Sequence, residues 1–254
     1  MNMKTIETYL PRNKWGTKDF RDIKTKLFYS VQEKQKDFHP LLAATYKDNP
    51  IQLIDFFSGA GGTSLGFASV NSVIPAFKML GGCDINAVSA QTYSHNYDTP
   101  LVNEDIRSLA HDSQKLHELL DRIGYDPQKP TILIGCAPCQ GFSSHRKKHW
   151  NEEEDVRNSL VIAFAEIVEQ IKPDAIIMEN VPEFLSKRYW HYFSAAKSRF
   201  EEIGYTVKQN IYNAAMFGVP QERFRSIVIA MKKGISNAGW YFGSLLSIKL
   251  CVKQ

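Results

Sequence analysis

No apolar run in the sequence approaches the ~18 residues of a membrane span. Its first residues, Met1-Asn2-Met3-Lys4-Thr5-Ile6-Glu7, lack the apolar core of a signal peptide. Four scattered cysteines do not make a disulfide framework, so a reducing cytoplasm is the expected setting. Internal repeats and low-complexity segments are missing as well. So is strong charge: a net +4 is only weak support for a polyanionic partner. What remains is a globular chain of 254 residues, 43% hydrophobic and 23% charged, long enough for one α/β domain plus an extension.

The charge that is present sits at one end. Residues 1–49 hold ten Lys or Arg against six Asp or Glu, which is the whole net charge of the chain. This basic N-terminal extension reads either as a solvated segment packed on the domain or as an arm that contacts a polyanion, with Phe20 to Gln35 as a basic helix. Residues 50–231 form the main domain, entered at Asn49-Pro50, and 232–254 a short tail. The rest of the chain is neutral overall, so any polyanion affinity of the main domain would come from local clusters such as Arg146-Lys147-Lys148.

The chain is organised around Gly135-Cys136-Ala137-Pro138-Cys139-Gln140-Gly141-Phe142-Ser143. The apolar run Thr131-Ile132-Leu133-Ile134 before it predicts a buried strand. Pro138 cannot continue a sheet ladder, so the backbone turns out and carries Cys139 to the strand end, where ligands sit in open α/β sheets. The basic loop Ser143 to His149 supplies positive charge that favours a thiolate. Cys136 reads as a small buried hydrophobe. The pair Cys136-x-x-Cys139 also suggests redox chemistry or half a zinc site, but Cys83 and Cys251 are isolated, so no metal is expected.

Upstream, Ile51 to Phe57 predicts a first strand, and Ser58-Gly59-Ala60-Gly61-Gly62-Thr63-Ser64-Leu65-Gly66-Phe67 a glycine-rich turn opening a helix. Glycine lets backbone N–H groups approach a ligand closely. The spacing departs from G-x-G-x-x-G, which points from a nicotinamide dinucleotide toward another adenosine ligand. Asp84 ends the next strand, where an acid grips ribose hydroxyls; a surface Asp opening a turn is the plain alternative. Asp105 is placed at the end of a third strand, suited to an adenine amino group or, equally, to a helix N-cap. A helix is expected over Asn158 to Lys172, then a strand Ala175 to Met178 that delivers Glu179 beside the pocket, unless Glu179 merely caps the next helix. A last strand is expected over Ser226 to Met231, with Arg223 and Arg225 on one side of an extended lead-in.

Four ordered segments together resemble the cytosine-5 DNA methyltransferases. They are Asp55-Phe56-Phe57-Ser58-Gly59-Ala60-Gly61-Gly62 with Asp84 and Asp105-Ile106, then Ala137-Pro138-Cys139-Gln140-Gly141-Phe142-Ser143, Glu179-Asn180-Val181, and Gln221-Glu222-Arg223-Phe224-Arg225 preceded by Gly218-Val219-Pro220. Asp155-x-Arg157-Asn158 also looks like the segment that leads into the family's next helix. The resemblance implies an α/β, Rossmann-like S-adenosylmethionine-dependent domain with a mostly parallel sheet. It places the cofactor on Phe57, Ser58, Gly59, Ala60, Gly61, Gly62, Asp84, Ile85, Asp105, Ile106 and Pro138.

It also implies the chemistry. Cys139 adds to carbon 6 of a cytosine flipped from duplex DNA. Glu179, protonated or sharing a proton with ring nitrogen 3, offsets negative charge developing on the ring. Arg225 bonds the exocyclic oxygen, and Arg223 supports Glu179 or nearby backbone. Family members continue with a target-recognition domain and a closing Asn-Ser-Val helix that are not legible in 232–254. The expectation is therefore one half of a two-chain restriction-modification enzyme, with a second polypeptide supplying recognition, or a truncated form. A cytosine-5 RNA methyltransferase and a non-catalytic cofactor- or DNA-binding module are the alternatives.

Overall fold

The computed structural model describes residues 49–71, 75–138, 150–187, 189–217 and 221–234, with backbone alone for 150–158 and 217. Cys139, the basic loop after it, the N-terminal extension and most of the tail lie outside the described residues.

In chain order the elements are β1 (Ile51–Phe56), α1 (Gly62–Asn71), β2 (Phe77–Cys83), α2 (Ala87–Tyr97), β3 (Leu101–Val102), α3 (Ile106–His111) and α4 (Ser113–Arg122). Then come β4 (Thr131–Gly135), α5 (Trp150–Ile171), β5 (Ala175–Asn180), a 3-10 turn (Pro182–Leu185), α6 (Trp190–Glu202), β6 (Tyr205–Asn213), a second 3-10 turn (Ala214–Phe217) and β7 (Phe224–Lys232). Among the described residues, no helix is long and apolar enough to cross a membrane.

The seven strands lie in the order β3-β2-β1-β4-β5-β7-β6. The five strands from β3 to β5 are parallel. β7 runs antiparallel between β5 and β6. The sheet is thus mostly parallel, as expected. β1 connects outward to β2 on one side while β4 pairs with it on the other, so the order reverses between them. In open α/β sheets that reversal opens a crevice at the strands' carboxyl ends.

Boundaries differ from the sequence reading at several places, four of which bear on the site. β1 stops at Phe56 because Phe57 takes a positive φ of 59°, which no strand residue adopts. α5 begins at Trp150, so Asp155 and Arg157 lie inside the helix rather than leading into it; Glu152, Glu153 and Glu154 suit a helix's first turns. β7 begins at Phe224, which puts Arg225 within the strand. Asp105 stands beyond the two-residue β3 as the N-cap of α3.

The larger core packs one face of the sheet against α3 to α6, with Phe56, Phe164, Phe184, Phe193 and Phe200 fully buried. On α4 the buried residues are Leu116, Leu119 and Leu120, the one-face spacing of an amphipathic helix. A smaller core on the opposite face joins Leu53, Ile132 and Ile134 to Phe67 of α1. Packing is close where strand meets helix: a Cβ on Gly135 would come within 2.4 Å of the Phe164 ring.

The amino ends of the strands are tied shut. Buried Gln52 donates to the Asp126 carbonyl at 2.7 Å and to Thr131 Oγ1 at 3.0 Å, and its Oε1 accepts from Asp126 N–H at 3.0 Å. Thr131 N–H donates to Asp174 Oδ2 at 2.8 Å, and Tyr205 Oη to the Pro173 carbonyl.

Candidate active site at the carboxyl ends of the strands

The turn after β1 is bent by three left-handed residues, Phe57, Gly59 and Gly61. Phe57 N–H donates to the Cys83 carbonyl at 2.9 Å, pinning the turn to the end of β2. Asp84, the next residue, accepts from Gly59 N–H at 2.8 Å through Oδ2 and from Asn86 N–H at 2.8 Å through Oδ1. Tyr97 Oη donates to the Gly61 carbonyl from the far end of α2. The glycines serve different ends. A Cβ on Gly61 would lie 2.2 Å from the Tyr97 ring, so its hydrogen makes room for protein. At Gly59 and Gly62 a Cβ would meet nothing within 4 Å, so the space beside them faces outward.

Behind the turn sits Asp55, 1% exposed. Its Oδ2 accepts from Ser64 Oγ at 2.6 Å, and Ser64 Oγ lies 3.1 Å from Tyr93 Oη. An ionised Asp55 takes the only Ser64 proton, so Tyr93 then donates to Ser64. Burial pushes the Asp55 carboxyl up to about 7, the Ser64 bond opposing and the Asp84 charge adding. Cys136, half-buried beside it, has its thiol pushed up to about 12 by burial and then by Asp55, with Thr63 Oγ1 at 3.3 Å from its sulfur. Cys136 is therefore a protonated packing residue, as the sequence suggested, and no nucleophile at neutral pH.

β5 delivers the second half of the site. Glu179 Oε1 meets Arg225 Nε at 2.7 Å, each side chain partly exposed. Arg225 also donates to the Phe224 carbonyl at 2.7 Å. Of the two arginines, Arg225 pairs with Glu179, and Arg223 meets nearby backbone, its carbonyl accepting from Ala214 N–H at 2.8 Å. The sheet register explains it. Glu179 stands opposite Ile227, so Arg225 is its diagonal neighbour on the same face, whereas Arg223 lies before the strand. Arg223 is exposed, its backbone N–H held by Asn213 Oδ1 at 3.1 Å. Asn180, pointing the opposite way, is buried and donates to the Ala137 carbonyl at 3.2 Å, fixing the backbone two residues before Cys139.

Among the other expected cofactor residues, Phe57, Ser58, Gly59, Ala60, Gly61 and Gly62 form the turn, and Pro138 is exposed at the end of β4. Ile85 is 68% exposed beside Asp84, an uncovered apolar surface suited to a flat ring. Ile106 is placed differently from Ile85. Its side chain is 4% exposed within the larger core, because the first turn of α3 packs on the sheet, so only its backbone is available to a ligand. Asp105 caps α3 through Arg107 N–H at 2.9 Å and pairs with the Arg107 guanidinium, which holds its carboxyl below the usual range. Ser64, Tyr93, Tyr97 and Asn180 were not singled out from sequence; Asn180 alone had a signal, its place in the Glu-Asn-Val segment.

Together these residues fit an adenosyl cofactor. The buried atoms Asp55 Oδ1 and Ser58 Oγ, behind and within the turn, have no hydrogen-bond partner among the described residues, and Gly59 and Gly62 leave open space on the turn's outer side. No group of His, Cys, Asp or Glu among those residues suits a metal ion.

Comparison with known proteins agrees with this geometry. Residues 51–247 match the family model of the C-5 cytosine-specific DNA methylases. The chain is 36% identical over 182 residues to the type II methyltransferase M1.HphI of Haemophilus parahaemolyticus, covering 71% of this chain and 46% of that protein. It is 31% identical over 183 residues to the type II methylase M.HgiDII of Herpetosiphon aurantiacus, covering 72% and 48%. Among solved structures, a prophage-encoded E. coli protein assigned as a DNA modification methyltransferase superposes with a TM-score of 0.59 at 26% identity, covering 73% of this chain and 48% of that one. The chain spans about half the length of the curated relatives it matches.

Proposed function

From the chain's membership of the C-5 cytosine-specific DNA methylases, we propose that it carries the catalytic side chains for methylating carbon 5 of cytosine in DNA with S-adenosylmethionine. The observation that carries the reading is one arrangement. The Glu179–Arg225 pair at the end of β5 and the glycine turn at the end of β1 flank the base of the Pro138-Cys139 loop at the end of β4.

The division of labour follows from residue chemistry. The Cys139 thiolate bonds to carbon 6 of a flipped cytosine, which pushes electrons into the ring and makes carbon 5 nucleophilic. Glu179 shares a proton with ring nitrogen 3 and so offsets the charge developing there. Arg225 fixes the Glu179 carboxyl through its Nε, while Asn180 fixes the loop that carries the thiol. Phe57 to Gly62, Asp84 and Ile85 hold the cofactor, with Asp105 and the Ile106 backbone at the rim. When bound, S-adenosylmethionine supplies the electrophilic methyl group. Loss of the carbon 5 proton to a base then lets the Cys139 sulfur depart and restores the aromatic ring. Reading a DNA sequence takes contacts to base edges. We assign that task to segments outside the described residues, in this polypeptide or a second one.

The test is tritiated methyl transfer from S-adenosylmethionine to plasmid DNA and to tRNA, with the product of the neighbouring reading frame added or left out. Label in DNA that disappears with Cys139→Ser, and a covalent adduct on duplexes carrying 5-fluorocytosine, are expected. Label in tRNA alone, or an adduct that persists in Cys139→Ser and vanishes in Cys136→Ser, overturns the reading.

A further inference from the structure

The sheet is covered unevenly. One face packs against α3 to α6. In the smaller core on the other face, Phe67 is the one helix residue among the described residues. It lies against Phe77 of β2, ring centroids 5.0 Å apart, which is three strand spacings, or about 14 Å, from β5. β7 shows the consequence. Ser226, Val228 and Ala230, on the face that meets the helices, are buried, whereas Ile227, Ile229 and Met231 between them stay partly exposed. Ile177, opposite Ile229 on β5, is partly exposed too. Ile227 and Ile229 belong to neither core among the described residues. Yet Ile227-Val228-Ile229-Ala230-Met231 is a continuous apolar run, the pattern of a strand covered on both faces. β6 differs: on this face it presents exposed Thr206, Lys208 and Asn210, as a strand facing water does. The bare apolar strip is therefore two strands wide, about 10 Å, the width of one helix.

The chain holds a segment of matching shape. Residues 1–48 lie outside the described residues and before the stretch 51–247 shared with the family. Within them Phe20, Ile23, Leu27 and Val31 recur at three- and four-residue spacing, a single stripe on a helix, with Asp22, Thr25 and Glu33 on the far side. As a helix, Phe20 to Val31 is about 17 Å long, against about 14 Å for the strip from Ile227 to Met231. The point of entry suits it as well. The extension joins the amino end of β1, where Ile51 N–H donates to the Ala76 carbonyl at 2.8 Å, and antiparallel β7 finishes at that same end. β7 lies three strand spacings from β1, about 14 Å, well within reach of the link from Val31 to Ile51. The tail leaves from this end too, but its Trp240-Tyr241-Phe242 run has no helical period.

We infer that residues 20–31 form a helix that docks through Phe20, Ile23, Leu27 and Val31 on the sheet face made by Ile177, Ile227, Ile229 and Met231. The basic extension then completes the second layer of the fold from within the chain, and its charged side faces solvent. This docking is independent of the chemistry proposed above.

Photo-cross-linking of the full chain tests it, with p-benzoylphenylalanine in place of Leu27 and the products mapped by peptide mass spectrometry. Cross-links should fall in the β5 and β7 peptides that hold Ile177, Ile227, Ile229 and Met231, within a product of monomer mass. The same probe in place of Thr25 should give far fewer. Cross-links to added duplex DNA would make the extension a polyanion-binding arm, and cross-links between two chains would make the strip a contact between copies. Either result overturns the inference, as do cross-links to any other surface, or none above the Thr25 level. Melting gives an independent check. Leu27→Glu should lower the melting temperature by roughly 2–4 °C or more, while Thr25→Glu, which adds the same charge on the far side, should leave it unchanged. Equal shifts in the two variants, or no shift in Leu27→Glu, would sink the docking.

Discussion

Gln52 and Asp55 lie three residues apart on one strand, equally buried, and the fold treats them oppositely. Gln52, at the amino end, has its donors and its acceptor engaged by Asp126 and Thr131. Asp55, at the carboxyl end, keeps an oxygen without a partner among the described residues and a carboxyl raised to about 7. The contrast extends across the sheet. At the amino end Thr131, Asp174 and Tyr205 close the remaining gaps. At the other end are a strained Phe57, a Ser58 hydroxyl unsatisfied among the described residues and a partly exposed Glu179–Arg225 pair. Satisfied polar groups hold a structure in place, and unsatisfied or strained ones mark where something else is meant to bind. One end of the sheet is for stability and the other for chemistry.

Three substitutions would break or sharpen that distinction. The largest effect is expected for Glu179→Gln, which removes the shared proton from the chemical end. Methyl incorporation into DNA should fall roughly 10²–10⁴-fold, with little change in the urea midpoint. A matching loss of stability would mean that the Arg225 pair is a structural tie. Next comes Gln52→Leu, which strands the Asp126 N–H and carbonyl in the interior and should cost roughly 2–4 kcal/mol in urea unfolding. The molecules that stay folded should bind cofactor as the wild type does; weakened binding would erase the separation of the two ends. The smallest is Gly62→Val. Its Cβ meets nothing in the protein, so the melting temperature should barely move while S-adenosylmethionine affinity drops about tenfold, a loss on the order of 1.4 kcal/mol. Unchanged affinity in equilibrium dialysis would remove Gly62 from the site. Gly61→Val is the poorer probe, because it strikes Tyr97 before it meets any ligand.

Much of this was legible in the residues. β1, β4 and β5 announce themselves as short apolar runs, and the glycine turn, Asp84 and Glu179 stand at their ends because parallel strands all deliver their last residues to one edge. What could not be read depends on pairing between distant segments. Nothing local says that β7 slips between β5 and β6, and that insertion is what selects Arg225 over Arg223 as the partner of Glu179. The start of α5 was missed because Asn151 to Asp155 is polar and carries no apolar period to read. The importance of Asp55 was hidden for the opposite reason. It belongs to a recognisable segment, yet only burial reveals that it lacks a full set of partners among the described residues.

The position of β7 also sets an order of assembly. β6 is made first, but its only neighbour among the described strands is β7, so that pairing waits until residue 232 has been synthesised. Until then β5 presents an open edge lined by Ile176 and Ile177, the kind of bare strand that invites pairing with another chain. The parallel half, β1 to β5, can condense early through its own helices. The last step is a two-sided insertion with contacts some fifty residues apart in the chain, Glu179 to Ile227 among them, the class of event that slows folding. The pairing of Glu179 with Arg225 forms in that step, so the geometry proposed for catalysis arises only at the end of folding, and a molecule stalled before it lacks that pair and is prone to aggregate.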